Sequence, residues 1–230
     1  MVVFPGSNCE HDSVHAWQQA TGGCARLVWH EEETLGDADA VILPGGFAHG
    51  DYLRAGALCR FSRVMQAVRR AADDGLPVLG ICNGFQILCE AGLLPGALGR
   101  NRGLRFVCQS VQVRTETSAT AWTGDLAKGE VLTLPIAHGE GCFWLPPEEH
   151  RALVRRGGVV FRYTTTDGGE GGNPNGSLDG IAGVCNPAGN VVGLMPHPER
   201  AAEALLGGID GGRILRSALR WVEQRVVLHG

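Results

Sequence analysis

The chemistry in this sequence centres on a cysteine placed between two glycines. Residues 80–84 read Gly-Ile-Cys-Asn-Gly and follow directly on an apolar run at 77–79. A G-x-C-x-G of this kind is the thiol version of the nucleophile elbow, in which a buried strand turns sharply into a helix and leaves the nucleophile at the apex. The N-terminus of that helix favours a thiolate over a thiol. The pentapeptide therefore predicts that Cys82 is a nucleophile, served by a histidine and an acid elsewhere in the chain.

A suitable histidine and acid occur late in the sequence. His197 and Glu199 lie two positions apart in residues 195–200, which read Met-Pro-His-Pro-Glu-Arg. The two prolines restrict the backbone around them, and in an extended segment positions i and i+2 point the same way. Glu199 can therefore orient the imidazole and stabilise its cationic form. We predict a catalytic triad of Cys82, His197 and Glu199, in which the acid follows the histidine, unlike the order in α/β-hydrolases.

A glycine turn supplies candidates for stabilising a developing oxyanion. Residues 41–47 read Val-Ile-Leu-Pro-Gly-Gly-Phe, which is typical of a buried strand that ends in a Pro-Gly-Gly turn. Glycine N–H groups at the carboxyl end of a strand can line an oxyanion hole, although Pro-Gly is also common in ordinary turns. Because acyl transfer to a thiolate needs such donors, the cysteine elbow favours the functional interpretation of Gly45 and Gly46.

Three further polar positions are less decisive on their own. Gln86 lies four residues after Cys82, about one helical turn, so it can face the same pocket, but a surface position is equally compatible. His138 and Gly139 follow a predicted strand that ends near residue 137. A polar cluster at a strand end is either a substrate contact or a loop, and the residues alone favour the loop.

The composition excludes several classes of protein. The chain has 230 residues, of which 44% are hydrophobic, and a net charge of −4, which predicts one globular domain over 1–230. The sequence contains no block of basic residues, which argues against nucleic-acid binding. No apolar run approaches the roughly 20 residues that span a bilayer. Eight cysteines without a C-x-x-C predict free thiols in a reducing cytoplasm rather than disulfides or a structural zinc. The histidine pair at 11 and 15 fits a solvated helix face better than a metal site, and no phosphate-binding glycine motif occurs.

Hydrophobic patterning predicts an α/β fold. Short apolar runs alternate with amphipathic stretches, and the first half gives the order β-α-β-β-α-β-α. We expect a mostly parallel central sheet flanked by helices, with an antiparallel extension after residue 105, where no helices separate the strands. The predicted strands are 1–5, 25–30, 39–44, 77–81, 105–114, 131–137, 158–164, 181–185 and 190–195, and the predicted helices are 12–21, 57–74, 83–92 and 211–227. A glycine-rich loop is predicted at 168–176.

The motifs together resemble a known family. Residues 80–86, with the His-Pro-Glu at 197–199, resemble the class I (triad) glutamine amidotransferases. Flanking segments extend the resemblance from residue 2 to about 201 and point within that family to glutaminase subunits of purine biosynthesis. These segments are 4–9, 44–56, 135–141, 173–177 and 195–200.

The resemblance implies a reaction and a site. Cys82 would attack the side-chain amide of glutamine, His197 would shuttle protons, and Glu199 would orient the imidazole. The oxyanion donors would be the N–H of Asn83 and one N–H from the pair Gly45 and Gly46. By the same analogy, the substrate glutamine would be held by Gln86 and by the backbone of His138 and Gly139.

The resemblance also implies a partner. Ammonia would pass to a large ATP-dependent synthetase subunit, so ATP and Mg are expected on that subunit, and this chain is expected to carry no cofactor and no metal. A small bridging subunit is left open.

Two other functions compete with this interpretation. A stand-alone γ-glutamyl hydrolase or cysteine peptidase would use the same elbow without a partner, and the long motif at 50–56 argues against it. A non-catalytic binding module on the same fold would not need the intact Cys82, His197 and Glu199.

Overall fold

The computed structural model describes residues 1–169 and 172–229, with side chains up to residue 224, so part of the predicted loop at 168–176 lies outside the described residues. The strands are β1 (Val2–Val3), β2 (Val28–Trp29), β3 (Val41–Leu43), β4 (Val78–Ile81), β5 (Ala97–Gly99), β6 (Val107–Thr115), β7 (Val131–His138), β8 (Cys142–Trp144), β9 (Val159–Thr164), β10 (Ile181–Cys185) and β11 (Val191–Leu194). The helices are α1 (Glu10–Thr21), α2 (Val64–Asp73), α3 (Asn83–Glu90), α4 (Pro147–Arg155) and α5 (Asp210–His229). None of the helices in the described ranges is long and apolar enough to cross a membrane.

Seven strands form one mixed sheet in the order β3-β4-β11-β10-β9-β6-β7. Pairing is parallel between β3 and β4 and between β4 and β11, and antiparallel from β11 onward. Strands β1 and β2 form a separate parallel pair, and β5 and β8 a short antiparallel one. The α/β class, the opening β-α-β-β-α-β-α order and the antiparallel extension are confirmed. The sheet was expected to be mostly parallel, but it is mixed. Only the pairs β3–β4 and β4–β11 of this sheet are parallel, whereas β11–β10, β10–β9, β9–β6 and β6–β7 are antiparallel.

The sheet curls so that its two ends approach each other. Strand β4 is second in the order and β7 is last, yet the Sγ atom of Cys82, just after β4, lies 3.8 Å from the carbonyl oxygen of Ala137 in β7. The N–H of His197, after β11, donates to the carbonyl of Pro135 at 2.8 Å. The curl therefore brings three chain segments, which are far apart in sequence, to one end of the sheet.

Helix α3 packs against the parallel part of the sheet at very short range. Helix α3 contacts β3, β4 and β11. A Cβ atom added at Gly84 would overlap the carbonyl of Leu43, and one added at Gly193 would overlap the ring of Phe85. These glycines are required because no side chain fits between the helix and the strands.

Several boundaries differ from the prediction for identifiable reasons. The helix predicted over 57–74 begins only at Val64, because Ser62 has extended backbone (φ −65°, ψ 144°) and a short 3₁₀ turn occupies Cys59–Phe61. Helix α4 was not predicted, although Pro147 in its first turn and Arg155 in its last are recognised end signals. Strands β5 and β8 have three residues each, too few for a periodic pattern.

The close approach of α3 to β3 predicts a large effect of one methyl group. Gly84→Ala should lower the free energy of unfolding by about 1–3 kcal/mol, because the added methyl pushes the helix off the Leu43 carbonyl. Thermal unfolding followed by circular dichroism should show a midpoint lower by several degrees. Gly124→Ala is the matched control, since a Cβ there has no atom within 4 Å. Equal midpoints for the two variants would contradict the packing argument.

Candidate active site

Cys82 occupies a strained apex between β4 and α3. Its backbone has φ 49° and ψ −103°, a conformation that residues other than glycine rarely adopt. The N–H of Cys82 donates to the carbonyl of Leu194 at 2.8 Å, and its carbonyl accepts N–H groups from Phe85 and Gln86 at 3.1 and 3.2 Å. These bonds hold the strained residue in place from both sides. The thiol lies at the N-terminus of α3, which is the elbow that the sequence predicted.

His197 and Glu199 form a buried ion pair beside Cys82. Nδ1 of His197 lies 2.5 Å from Oε1 of Glu199, and both side chains are at least 98% buried. Burial alone would lower the pKa of His197, but the Glu199 carboxylate and the Cys82 sulfur raise it well above its usual value. The Nε2 atom of His197 is buried and has no partner among the described residues. The imidazole is thus held by Nδ1 and keeps Nε2 available for proton transfer.

A second thiol lies on the other side of this pair. The ligating atoms of Cys9, His197 and Glu199 lie within 4.8 Å of one another, which is a spacing that a metal ion could bridge. However, Nη2 of Arg200 lies 3.1 Å from the Cys9 sulfur, and Nε of Arg200 lies 3.8 Å from Glu199. The positive charge of the guanidinium would repel a bound cation. The arrangement therefore favours contacts of Arg200 with Cys9 and Glu199 over a metal site.

The predicted oxyanion donors are backbone N–H groups without a backbone acceptor. The N–H of Asn83 is in the first turn of α3 and has no intrahelical acceptor, and the N–H groups of Gly45 and Gly46 have no acceptor among the described residues. Gly45 packs directly on His197, because a Cβ there would lie 2.8 Å from Cε1 of the imidazole. The Pro-Gly-Gly turn is therefore next to the imidazole of His197, and which N–H faces an oxyanion stays a prediction.

The predicted glutamine-holding residues lie on two elements, with Gln86 in α3 and with His138 and Gly139 at the end of β7. Gln86 Oε1 accepts a hydrogen bond from Nδ2 of Asn83 at 2.9 Å, and its own amide donates to the carbonyl of Glu140. Gln86 therefore ties α3 to the segment after β7. His138 is buried, and burial together with the charge of His197 lowers its pKa to about 4, so the ring is neutral. Direct contact of these residues with glutamine stays a prediction.

Two other buried cysteines, Cys59 and Cys89, are poor nucleophiles. Burial raises the pKa of the Cys59 thiol to about 12, and burial with the neighbouring Glu90 charge raises the pKa of Cys89 further. A raised pKa means little thiolate near neutral pH. Cys82 is thus distinguished from them by its position at the elbow and by its neighbouring imidazole.

Comparison with known proteins places this geometry in a family. Residues 1–209 match the CobB/CobQ-like glutamine amidotransferase domain. The chain is 58% identical over 221 residues to the phosphoribosylformylglycinamidine synthase subunit PurQ of Thermomicrobium roseum, covering 95% of this chain and 94% of that protein. It is 54% identical over 224 residues to the PurQ subunit of Salinibacter ruber, covering 96% and 95%. This chain belongs to the PurQ family of glutamine amidotransferases.

Solved structures agree with the PurQ assignment. The structure of PurLQS from Thermotoga maritima contains a chain that is 42% identical, with a TM-score of 0.85 and coverage of 96% of both chains. Another glutamine amidotransferase of Thermotoga maritima shares the fold alone. It is 18% identical, with a TM-score of 0.57 and coverage of 98% of this chain and 96% of that one.

The residues of the site that sequence reasoning missed act by holding others. Asn101 binds both His138 and the N–H of Gly141, Arg200 contacts Cys9 and Glu199, and Asn175 binds the carbonyl of Gly141. Asn101 lies in none of the motifs, and Asn175 and Arg200 lie in the segments 173–177 and 195–200 without a pattern that gives either residue a chemical role. Their roles depend on contacts between segments that only the fold brings together.

The dyad geometry predicts unequal effects of two substitutions. His197→Ala should reduce glutamine hydrolysis by about 10²–10⁴-fold, because it removes the imidazole beside the Cys82 sulfur. Glu199→Gln should cost less, since an amide oxygen can still accept from Nδ1. It should also move the alkaline limb of the pH–rate profile to lower pH, because the carboxylate is what raises the His197 pKa.

Steady-state rates of the two variants between about pH 6 and 10, in the presence of the synthetase subunit, test this. A larger loss in Glu199→Gln than in His197→Ala, or an alkaline limb that moves upward, would show that the two roles are assigned incorrectly.

Proposed function

We propose that this chain is the glutaminase subunit of phosphoribosylformylglycinamidine synthase. It hydrolyses glutamine to glutamate and ammonia, and a synthetase subunit uses the ammonia and ATP to convert formylglycinamide ribonucleotide to formylglycinamidine ribonucleotide in purine biosynthesis. The observation that carries this is the Cys82 elbow beside the buried His197–Glu199 pair, in a chain 54–58% identical to PurQ subunits.

The first half-reaction forms a thioester. The Cys82 sulfur attacks the carboxamide carbon of glutamine, and the negative charge that develops on the oxygen is stabilised by the N–H of Asn83 and one from Gly45 or Gly46. The C–N bond breaks as the His197 imidazolium gives its proton to the departing nitrogen. The raised pKa of His197 suits this step, because the ring is protonated when the leaving group needs a proton.

The second half-reaction regenerates the thiolate. His197 is now neutral and takes a proton from a water molecule that attacks the thioester carbonyl. The C–S bond breaks, glutamate leaves, and the sulfur and imidazolium return to their starting states. Glu199 keeps the same contact with Nδ1 throughout, which stabilises the charged ring in both directions.

The partner follows from the relatives. The Thermotoga maritima structure is of PurLQS, and we infer that this chain works in the same kind of assembly, with a large PurL-type subunit and with the S component as the small bridging subunit. ATP and Mg bind the large subunit, and the assembly is cytoplasmic. A stand-alone γ-glutamyl hydrolase or peptidase is not favoured, since full-length relatives at 54–58% identity are synthase subunits.

The elbow assignment predicts a separation of two activities. Cys82→Ser should abolish glutamine-dependent synthesis by the assembled complex and leave ammonia-dependent synthesis intact, because ammonia bypasses the thioester. A glutamine-analogue alkylating agent should label wild type at Cys82, as mass spectrometry of peptides would show.

Cys89→Ser is the matched control, because Cys89 is a buried thiol on the same helix and should not be needed. Retained glutamine-dependent activity in Cys82→Ser, or labelling at Cys9 instead, would disprove the assignment.

A strained surface segment connects the elbow with solvent. The Asn83 side chain lies 3.4 Å from the Asp51 carboxylate, and Asp51 and Leu53 both have left-handed backbone (φ 53° and 70°). The neighbouring side chains of Tyr52 and Leu53 are 74% and 85% exposed. Strained backbone and exposed apolar groups are typical of a segment that changes on binding. Docking of the synthetase subunit here would reach the oxyanion donor at Asn83 directly.

This connection predicts that the isolated chain is a poor glutaminase. The rate of glutamine hydrolysis should rise by at least tenfold when the synthetase subunit and its substrates are added, which requires only about 1.4 kcal/mol of differential binding between two conformations. Equal rates with and without the partner would remove the coupling and favour independent hydrolysis.

A further inference from the structure

One buried amide links an exposed loop to the glutamine pocket. Asn101 is 1% exposed, whereas the five residues that follow it, 102–106, are all exposed. Its backbone N–H donates to the carbonyl of Gly139 at 2.9 Å. Asn101 is therefore the point at which this loop is attached to the segment after β7, which carries His138.

The side-chain amide of Asn101 can take only one orientation. Two carbonyl oxygens, those of Arg105 and His138, lie 2.9 and 2.8 Å from one of its terminal atoms, and carbonyls require a donor. The N–H of Gly141 lies 3.1 Å from the other terminal atom and requires an acceptor. The first atom must therefore be Nδ2 and the second Oδ1.

This orientation settles which nitrogen of His138 carries the proton. Nδ1 of His138 lies 3.1 Å from Oδ1 of Asn101, and an amide oxygen can only accept. Nδ1 must therefore be the donor. The ring is neutral, since burial and the charge of His197 oppose a second proton, so Nε2 is left as an acceptor.

That acceptor has no partner within the described residues. Nε2 of His138 is fully buried and makes no hydrogen bond. A buried polar atom left unpaired destabilises the fold, so this nitrogen requires a partner from outside the chain, either a water molecule or a ligand. Glutamine brings N–H donors on its carboxamide and its α-ammonium group, and either can serve as this partner.

We propose that Asn101 is a positioning residue of the glutaminase, which fixes His138 in the Nδ1–H tautomer so that Nε2 accepts an N–H of the bound glutamine. Asn101 itself touches no substrate. This inference rests on the proposed function for the substrate, but the tautomer it requires is a property of the free chain.

The tautomer can be observed directly in the wild-type chain. Two-bond ¹H–¹⁵N correlation spectra of the ¹⁵N-histidine-labelled protein distinguish Nδ1–H from Nε2–H rings, and the His138 signals are identified by their loss in His138→Gln. We expect Nδ1–H at His138 from about pH 6 to pH 8, well above its lowered pKa. An Nε2–H ring, or a doubly protonated ring at pH 7, overturns the proposal without any variant of Asn101.

Variants then test whether Asn101 is responsible. Asn101→Ala removes the acceptor, so the Nδ1–H signature should disappear. In complex with the synthetase subunit, the KM for glutamine should rise about tenfold, with a smaller change in kcat, because ground-state binding is lost. If the alanine variant does not fold, the wild-type spectrum still decides whether His138 carries the Nδ1–H that the contact with Asn101 requires.

Asn190 is the matched control for a purely structural role. It is fully buried, and its Nδ2 donates to the carbonyls of Ala72 and Leu76 at 2.8 Å each, away from the pocket. Asn190→Ala should lower thermal stability but leave the His138 tautomer and the KM for glutamine unchanged. An Asn101→Ala protein that is folded and has the wild-type KM refutes the proposal.

The failure of this inference and of the proposed function are distinguishable. A correct tautomer in a chain that never hydrolyses glutamine, even with the synthetase subunit, would reject the function and leave the Asn101 geometry standing. An active glutaminase with the wrong tautomer at His138 would do the reverse.

Discussion

The site depends on one backbone contact, the approach of Gly84 to the carbonyl of Leu43. It sets the distance between helix α3 and strand β3, and therefore between the elbow and the glycine turn that follows β3. Gly45 is two residues beyond this contact and packs on the imidazole of His197. A side chain at residue 84 would separate Cys82 from the Pro-Gly-Gly turn and from the imidazole of His197 at the same time. Packing density here is a requirement of the chemistry as well as of stability.

Two buried histidines lie in this pocket in opposite protonation states. The carboxylate of Glu199 raises the pKa of His197 and keeps that ring charged. His138 contacts the neutral amide of Asn101 instead, and burial together with the charge of His197 lowers its pKa, so this ring is neutral. One ring can therefore donate and accept a proton during the reaction, and the other can only offer a lone pair. Similar residues acquire different functions because their immediate partners differ in charge.

The sequence predicted those parts of the site that a local pattern encodes. The elbow at Cys82 follows from glycine spacing, and the His197–Glu199 pair was also predicted from the sequence. The extended backbone expected for that pair was wrong, because Pro198–Ala201 forms a 3₁₀ turn directly after His197. The order of the first seven elements was also predicted correctly. Strand pairing was predicted less well, because a parallel β11 inserted between β4 and β10 depends on contacts between distant parts of the chain.

The residues that position others could not be predicted. Asn101 acts on His138, which the curled sheet brings to it, and no neighbour of Asn101 in sequence indicates a role. Arg200 follows Glu199 directly, but its contact with Cys9 depends on the fold. The late start of helix α2 has the same origin, since the N–H of Val64 is taken by the carbonyl of His30. Local propensity is overridden wherever a distant segment supplies the better hydrogen-bond partner.

The position of β11 also determines when activity can arise during synthesis. Strand β11 lies between β4 and β10, and the N–H of Cys82 is bonded to the carbonyl at its end. The elbow therefore lacks one of the bonds that hold its strained backbone until the last quarter of the chain has left the ribosome. Contacts of such sequence separation form late in folding. A nascent or truncated chain carries the thiol but not the assembled site, so release of ammonia is confined to finished molecules.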